Sequence, residues 1–337
     1  MDSLTHFAIG ACIGDLFLGK KIGKKAMLYG AIAASFPDVD FIISFILKPP
    51  SDLLAHRGFT HSFLFAFIVI TGLSIFFRKR HTIENIPVKT WVLFLSVALG
   101  SHLLLDAFNA YGIGWFEPFN HSRFSFNIIF VVDPFFSVWP GMAAVCLLIL
   151  KKHSNKRKGW AGFGLIFCSL YLVYCMFNKF NTDDHARFAA LHQGIHYNRY
   201  FTTPAPFNNW LWYVVAETDS GFYTGYRSVF DSGDHIEFRY FARNDALLKP
   251  LNSHSDLREL ILFSQGYYVA ESSNQGVVFN DLRFGQIMGW QNPSAGFVFH
   301  YYLQKPDANQ MVVQRGRFAD WNQATIKGFI KRIRGND

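Results

Sequence analysis

The chain is short of charge and of cysteine, and it lacks several patterns that would assign its class directly. Of its 337 residues, 17% are charged, where a soluble globular chain carries nearer ~25%. The deficit is local. Up to about Phe177 long apolar runs dominate, and from Asn178 onward charges recur every few residues. The four cysteines, Cys12, Cys146, Cys168 and Cys175, all lie in apolar stretches. That excludes a disulfide framework in the polar half and argues against thiolate as a metal ligand. There is no internal repeat and no low-complexity tract. The opening Met-Asp-Ser-Leu-Thr-His has no basic stretch before the first apolar run, so that run is expected to be retained rather than cleaved. The formal charge of +8 comes without a basic patch interleaved with aromatics and without a nucleic-acid motif. No nucleic-acid partner is expected.

What is present is a series of apolar runs near the ~20 residues a spanning helix needs. They are Thr5–Leu18, Ala26–Leu47, His61–Phe77, Thr90–Phe108, Phe126–Leu150 and Gly159–Phe177. Thr5–Leu18 is the weakest, being short and holding Asp15. Basic residues punctuate alternate loops: Lys20, Lys21, Lys24 and Lys25; then Arg78, Lys79, Arg80 and Lys89; then Lys151, Lys152, Lys156, Arg157 and Lys158. The intervening loops hold few cations. The positive-inside rule places the basic loops in the cytoplasm and the N-terminus outside. The expected fold is mainly α, with about six transmembrane helices in residues 1–178 and an extracytoplasmic α+β domain over 179–337.

In that second part Asp183–Asn198 reads as a helix, followed by a turn-rich Thr-Thr-Pro-Ala-Pro break. Strand-like runs follow at Trp210–Ala216, Gly221–Phe230, His235–Ala242, Tyr267–Ala270, Gly276–Phe279 and Gly296–Leu303. Ser255–Phe263 reads as a further helix.

The apolar half holds ionisable residues that a bilayer normally excludes, and such groups are expensive and commonly functional. His6, Asp38, Asp40, His56, His61, His102, Asp106 and Asp133 all fall toward the outer ends of the expected spans. The spans were oriented from Lys and Arg alone, so this shared side is an independent regularity. His102-Leu-Leu-Leu-Asp106 puts an imidazole and a carboxylate on one helical face. Pro37 can break the helix before Asp38-Val-Asp40, and irregular backbone is tolerated in a membrane where it lines a cavity. One of these carboxylates can then bridge two ions. His56 and His61 flank Arg-Gly-Phe-Thr on a loop-to-helix turn. Imidazole with carboxylate and no thiolate suits Zn²⁺, Mn²⁺ or Fe²⁺. Seven ligands, His6, Asp38, Asp40, His56, His61, His102 and Asp106, exceed the four that a single tetrahedral zinc needs. Two or three ions are therefore expected. Asp133, ahead of Pro134, is read either as a helix cap or as a participant in the site. His192-Gln-Gly-Ile-His196 has ligand spacing but lacks the Glu of a His-Glu-x-x-His motif.

The N-terminal Thr-His, Pro-Asp-Val-Asp, His-Arg-Gly-Phe-Thr-His-Ser, and the stretch from His102-x-x-x-Asp106 through Tyr-Gly to Val-Val-Asp-Pro resemble the YdjM family of prokaryotic inner-membrane proteins. The resemblance covers roughly residues 1–134. It implies a metal-dependent hydrolase. The His and Asp pattern is also similar to the zinc-dependent phospholipase C and S1/P1 nuclease group, which implies phosphoester cleavage, although the N-terminal Trp and later His-x-x-x-Glu of that group are absent. The expected activity is hydrolysis of an ester, a phosphoester first, in a membrane lipid or other amphiphile. Arg57 is the expected electrophilic partner, because a guanidinium matches phosphate bidentately. A metal transporter or sensor, or a structural metal beside a partner-binding domain, is the alternative.

Overall fold

The computed structural model describes residues 1–251, 255–305, 309, 318 and 321–335. They form two compact units: residues 1–45 with 55–174, and residues 46–54 with 175 onward.

The first unit is helical. Helix α1 (Ser3–Ile22) starts where Asp2 accepts the Thr5 N–H at 2.9 Å, and it stops at Gly23, whose φ of 64° breaks the helix. Helix α2 (Lys25–Ala34) folds back on it. The two approach backbone to backbone. A side chain on Gly10 or Gly30 would run into the other's carbonyl, and one on Gly14 into that of Ala26. Small residues at a helix contact permit this approach in a membrane, where apolar burial gives no drive for association. After Ser35 the chain bends by 52° into a 3₁₀ segment, Phe36–Phe45. Pro37 lies in that segment and cannot donate to a regular helical ladder.

Helix α3 (Pro49–Ala55) leads to a 3₁₀ turn, Phe59–His61, and then to α4 (Phe63–Arg80), capped by Ser62 accepting from Phe65 N at 3.1 Å. Helix α5 (Val88–Ala107) returns beside α4. Helix α6 (Pro134–Ile149) is followed by α7 (Lys156–His192). Arg157 closes the end of the bundle remote from His6. It pairs with buried Asp15 and donates to the Leu147 and Leu150 carbonyls at 2.7 and 3.1 Å. These carbonyls belong to the last turn of α6, where unpaired acceptors need partners.

Two helices, α5 and α7, are long and apolar enough to cross a membrane, and up to four spans result if each bent pair counts as one. The expected six are not reached among the described residues. Phe126–Leu150 is helical only from Pro134, giving 16 residues. Helix α1 carries Thr5, His6 and Asp15, which dilute its hydropathy. Helix α7 corrects another expectation. It runs 37 residues, through the composition change at Asn178, so the helix expected at Asp183–Asn198 is its continuation and ends at His192.

In the second unit, β1 (Arg199–Pro204), β2 (Leu211–Glu217), β3 (Gly221–Ser228) and β4 (Arg239–Ala242) form an antiparallel sheet in that order. The expected turn at Thr202–Pro204 is therefore strand. Edge position allows it, because a proline is tolerated where no ladder partner needs its N–H. The strand expected at His235–Ala242 shortens to β4. After α8 (Asp245–Leu248) and α9 (Ser255–Phe263) comes a second antiparallel sheet of β5 (Tyr268–Ser273), β6 (Gly276–Gln286) and β7 (Phe297–Tyr302), followed by α10 (Gln323–Ile333). Phe201, Val215, Phe222, Val269, Leu282 and Phe297 share one core drawn from both sheets.

Candidate metal centre

Four side chains from three places in the sequence converge in the first unit. The 3₁₀ segment after Pro37 supplies Asp38, the turn before α4 supplies His61, and one face of α5 supplies His102 and Asp106. One ligand atom from each lies within 4.8 Å of the others. The Nε2 atoms of His61 and His102 are 3.1 Å apart, each lies 3.6 Å from Asp38 Oδ1, and each lies 3.5 Å from Asp106 Oδ2. A tetrahedral ion with ligand bonds of ~2.0–2.1 Å would set its ligands about 3.3 Å apart. The spacing is thus that of ligand atoms around a common centre.

The protonation pattern also suits an ion. His102 Nδ1 lies 2.6 Å from the Ala34 carbonyl, which can only accept, so Nδ1 carries the proton and Nε2 presents a lone pair. A backbone carbonyl on the outer nitrogen commonly fixes the tautomer of a ligating His. Asp106 Oδ2 is buried and lies 3.5 Å from each of the two imidazole Nε2 atoms, so it faces the same centre as they do.

Around this core lies a second group. Asp40 Oδ2 accepts the Arg57 N–H at 2.8 Å and lies 3.3 Å from His56 Nδ1 and 3.4 Å from His61 Nδ1. Asp38 and Asp40 therefore part company, one on each side of the His61 ring. His56 is the exposed member, at 36%. His6 is buried, with Nε2 3.1 Å from Asp106 Oδ1 and its ring packed 4.0 Å from that of His102. The Met1 ammonium pairs with the same Asp106 oxygen.

Arg57 adopts φ 58°, a left-handed conformation that costs energy for a side chain with a Cβ. Its surroundings hold it there. Nη1 donates to Asn109 Oδ1 at 2.8 Å, Nε lies 3.2 Å from Asp106 Oδ2, and the guanidinium carbon lies 5.1 Å from the Tyr111 ring centre. The Arg57 carbonyl accepts from Gly114 N at 2.9 Å. Asp133 is placed differently from the ligands. It caps α6, accepting from the Phe135 and Phe136 N–H groups at 2.9 and 3.2 Å, and it takes the Tyr171 hydroxyl at 3.0 Å. His196 lies beyond the end of α7 at His192, so the two do not share a helical face.

Sequence reading missed Asn109, Tyr111 and Arg123. Arg123 donates to the His56 carbonyl. Asn109 had a signal: it lies three residues after Asp106, just past the end of α5. Its neutral amide lacks the charge that marks a residue as out of place in an apolar stretch.

Comparison with known proteins places this site in a family. Over 124 residues the chain is 39% identical to Inner membrane protein YbcI of Escherichia coli (strain K12), covering 36% of this chain and 69% of that protein. Over 184 residues it is 28% identical to Uncharacterized protein YfhP of Bacillus subtilis (strain 168), covering 51% of each. No solved structure matches. The model of the YdjM inner membrane protein family matches residues 1–182, a span that contains every candidate ligand described above. The chain belongs to the YdjM inner membrane protein family.

Proposed function

We propose that the protein is a membrane-bound metal-dependent hydrolase acting on an ester, with a phosphoester favoured, in a lipid or other amphiphile. The observation that carries this reading is the convergence of four ligand atoms beside a buried, restrained guanidinium. Asp38, His61, His102 and Asp106 would hold one divalent ion, zinc being the first choice for this donor set and manganese or iron the others. Asp40 and His56 would contribute ligands to a second. His6 orients Asp106. When bound, such ions supply Lewis-acid polarisation of an ester oxygen and lower the pKa of water.

The residues divide the remaining work. Arg57 offers a planar fork that grips two oxygens of a phosphoester and offsets charge that grows on them. Asn109 and Tyr111 fix that fork, so little ordering is left for the moment of reaction. His56, at the exposed rim, lies where substrate enters. Asp133 is a capping residue in this scheme. A metal transporter would need ligands continuing toward the other end of the bundle, and there Asp15 is already neutralised by Arg157.

The test is metal analysis of detergent-purified protein, paired with a hydrolysis screen on phospholipids, phosphodiesters and carboxylic esters. Bound divalent metal together with hydrolysis that a chelator abolishes is the expected result. Stoichiometric metal with no hydrolysis of any of these classes would move the reading to a structural or sensory metal.

A further inference from the structure

The geometry points to a seat for one acyl chain of a membrane lipid in the groove between α4 and α5, with the ester end toward the metal centre. The groove encloses about 510 Å³, within the range of small-molecule sites. Its lips are large and exposed: Phe63 and Phe67 from α4 and Leu104 from α5. Its floor is small or buried: Ala66, Gly100 and Leu103. A methyl placed on Gly100 meets nothing within 4 Å, so the two helices leave real space there. Helix α5 is long and apolar enough to span a membrane, and α4 belongs to a bent pair that is so as well. The medium beside them is hydrocarbon. Lipid tails are as apolar as the lining, so shape rather than hydrophobicity selects the occupant.

The groove is tied to the site at one end. Phe63 begins α4 two residues after His61, and Leu103 follows His102 directly. From Leu104 back to Ser96 the groove extends roughly 12 Å away from the site at the ~1.5 Å rise per residue of a helix. Trp115 closes the site end. Its carbonyl accepts the Phe63 N–H at 3.0 Å, and its neighbour Gly114 donates to the Arg57 carbonyl at 2.9 Å. The seat deepens the hydrolase reading by naming a substrate class, and it rests on that reading only for the fate of the ester.

The test uses the full chain in nanodiscs containing a phospholipid with a diazirine in one acyl chain, with crosslinks mapped by mass spectrometry. Crosslinks are expected on Phe67, Gly100 and Leu104 in excess of Leu93 and Val97, which are exposed on α5 outside the groove. Gly100→Trp fills the groove and should reduce labelling of Phe67 and Leu104 to that background. Gly72→Trp, equally free of close neighbours but outside the groove, should leave the excess intact. The thermal midpoint in detergent reports folding in each variant, and Gly100→Leu replaces Gly100→Trp if the larger side chain lowers it. Even labelling around α5, or an excess that survives filling of the groove, overturns the seat. Labelling needs no turnover. Excess labelling without hydrolysis therefore sinks only the enzyme reading, and hydrolysis without excess labelling sinks only the seat.

Discussion

At the scale of single residues, the site separates groups that would hold a metal from a group that would hold substrate. His102 and Asp106 each contribute an atom to the four-membered set. Replacing either by Ala leaves an incomplete coordination sphere and should strip the metal, read by elemental analysis, and abolish hydrolysis with it. Arg57→Lys should act differently. The charge stays but the planar fork and the bond to Asn109 are lost, so bound metal should remain near wild type. Turnover should fall by about 10²-fold or more, the scale of removing one preorganised donor from a reacting centre. Full turnover in Arg57→Lys would remove that residue from the mechanism. Unchanged metal in His102→Ala would show that the ligands are misassigned.

At the scale of elements, the α1–α2 hairpin and α5 together position the centre, because they carry His6, the Ala34 carbonyl and the His102–Asp106 face. The hairpin depends on backbone contact at Gly10, Gly14 and Gly30. Gly30→Leu should separate the helices and destabilise the protein by about 1–3 kcal/mol, as overpacking does. Gly72→Ala on α4, where added atoms meet nothing, should instead hold or raise the thermal midpoint in detergent, since Ala is favoured over Gly inside a helix by about 0.5–1 kcal/mol. Because α2 also supplies the carbonyl that fixes the His102 tautomer, the Gly30 variant should bind metal more weakly as well. Loss of stability with wild-type metal affinity would mean that the hairpin and the site are independent.

For the whole molecule, the alternation of basic and non-basic loops makes a prediction about sidedness. In a background without the four native cysteines, a cysteine near Ser154 should be shielded from impermeant thiol reagents in intact cells. One near Asn274 should be labelled. The reverse pattern would put the metal centre on the cytoplasmic side. The second unit carries its own pH signature. Burial pushes the phenols of Tyr267 and Tyr268 from 10.0 up to about 12. The folded state therefore favours the protonated form. Its contribution to stability is complete below pH ~10 and is lost as pH rises toward ~12. Alkaline titration followed at the tyrosinate absorbance should show a fraction that ionises only in that window, together with loss of β structure. Uniform ionisation near pH ~10 with the fold intact would contradict it.

The sequence by itself determined the periodic and the local. The i, i+4 spacing of His102 and Asp106 fixes their shared face once the segment is helical, and Pro37 marks where a helix must yield. Most strands of the second unit follow from their β-branched and aromatic runs. Tertiary structure decided what depends on distant partners. Nothing local says that Asp38 turns to His102 while Asp40 turns to His56, because that depends on how the bent segment packs against α5. Composition also misplaced the end of α7: hydropathy falls at Asn178, but backbone hydrogen bonds continue to His192. Past Asn178 the polar residues on the helix have partners in the second unit, as Asn178 does in the Asn209 carbonyl at 2.9 Å. Asn109 gained its place by the same route. A neutral amide carries no signature in a list of charges, and it becomes part of the site only when Arg57, 52 positions earlier, folds against it.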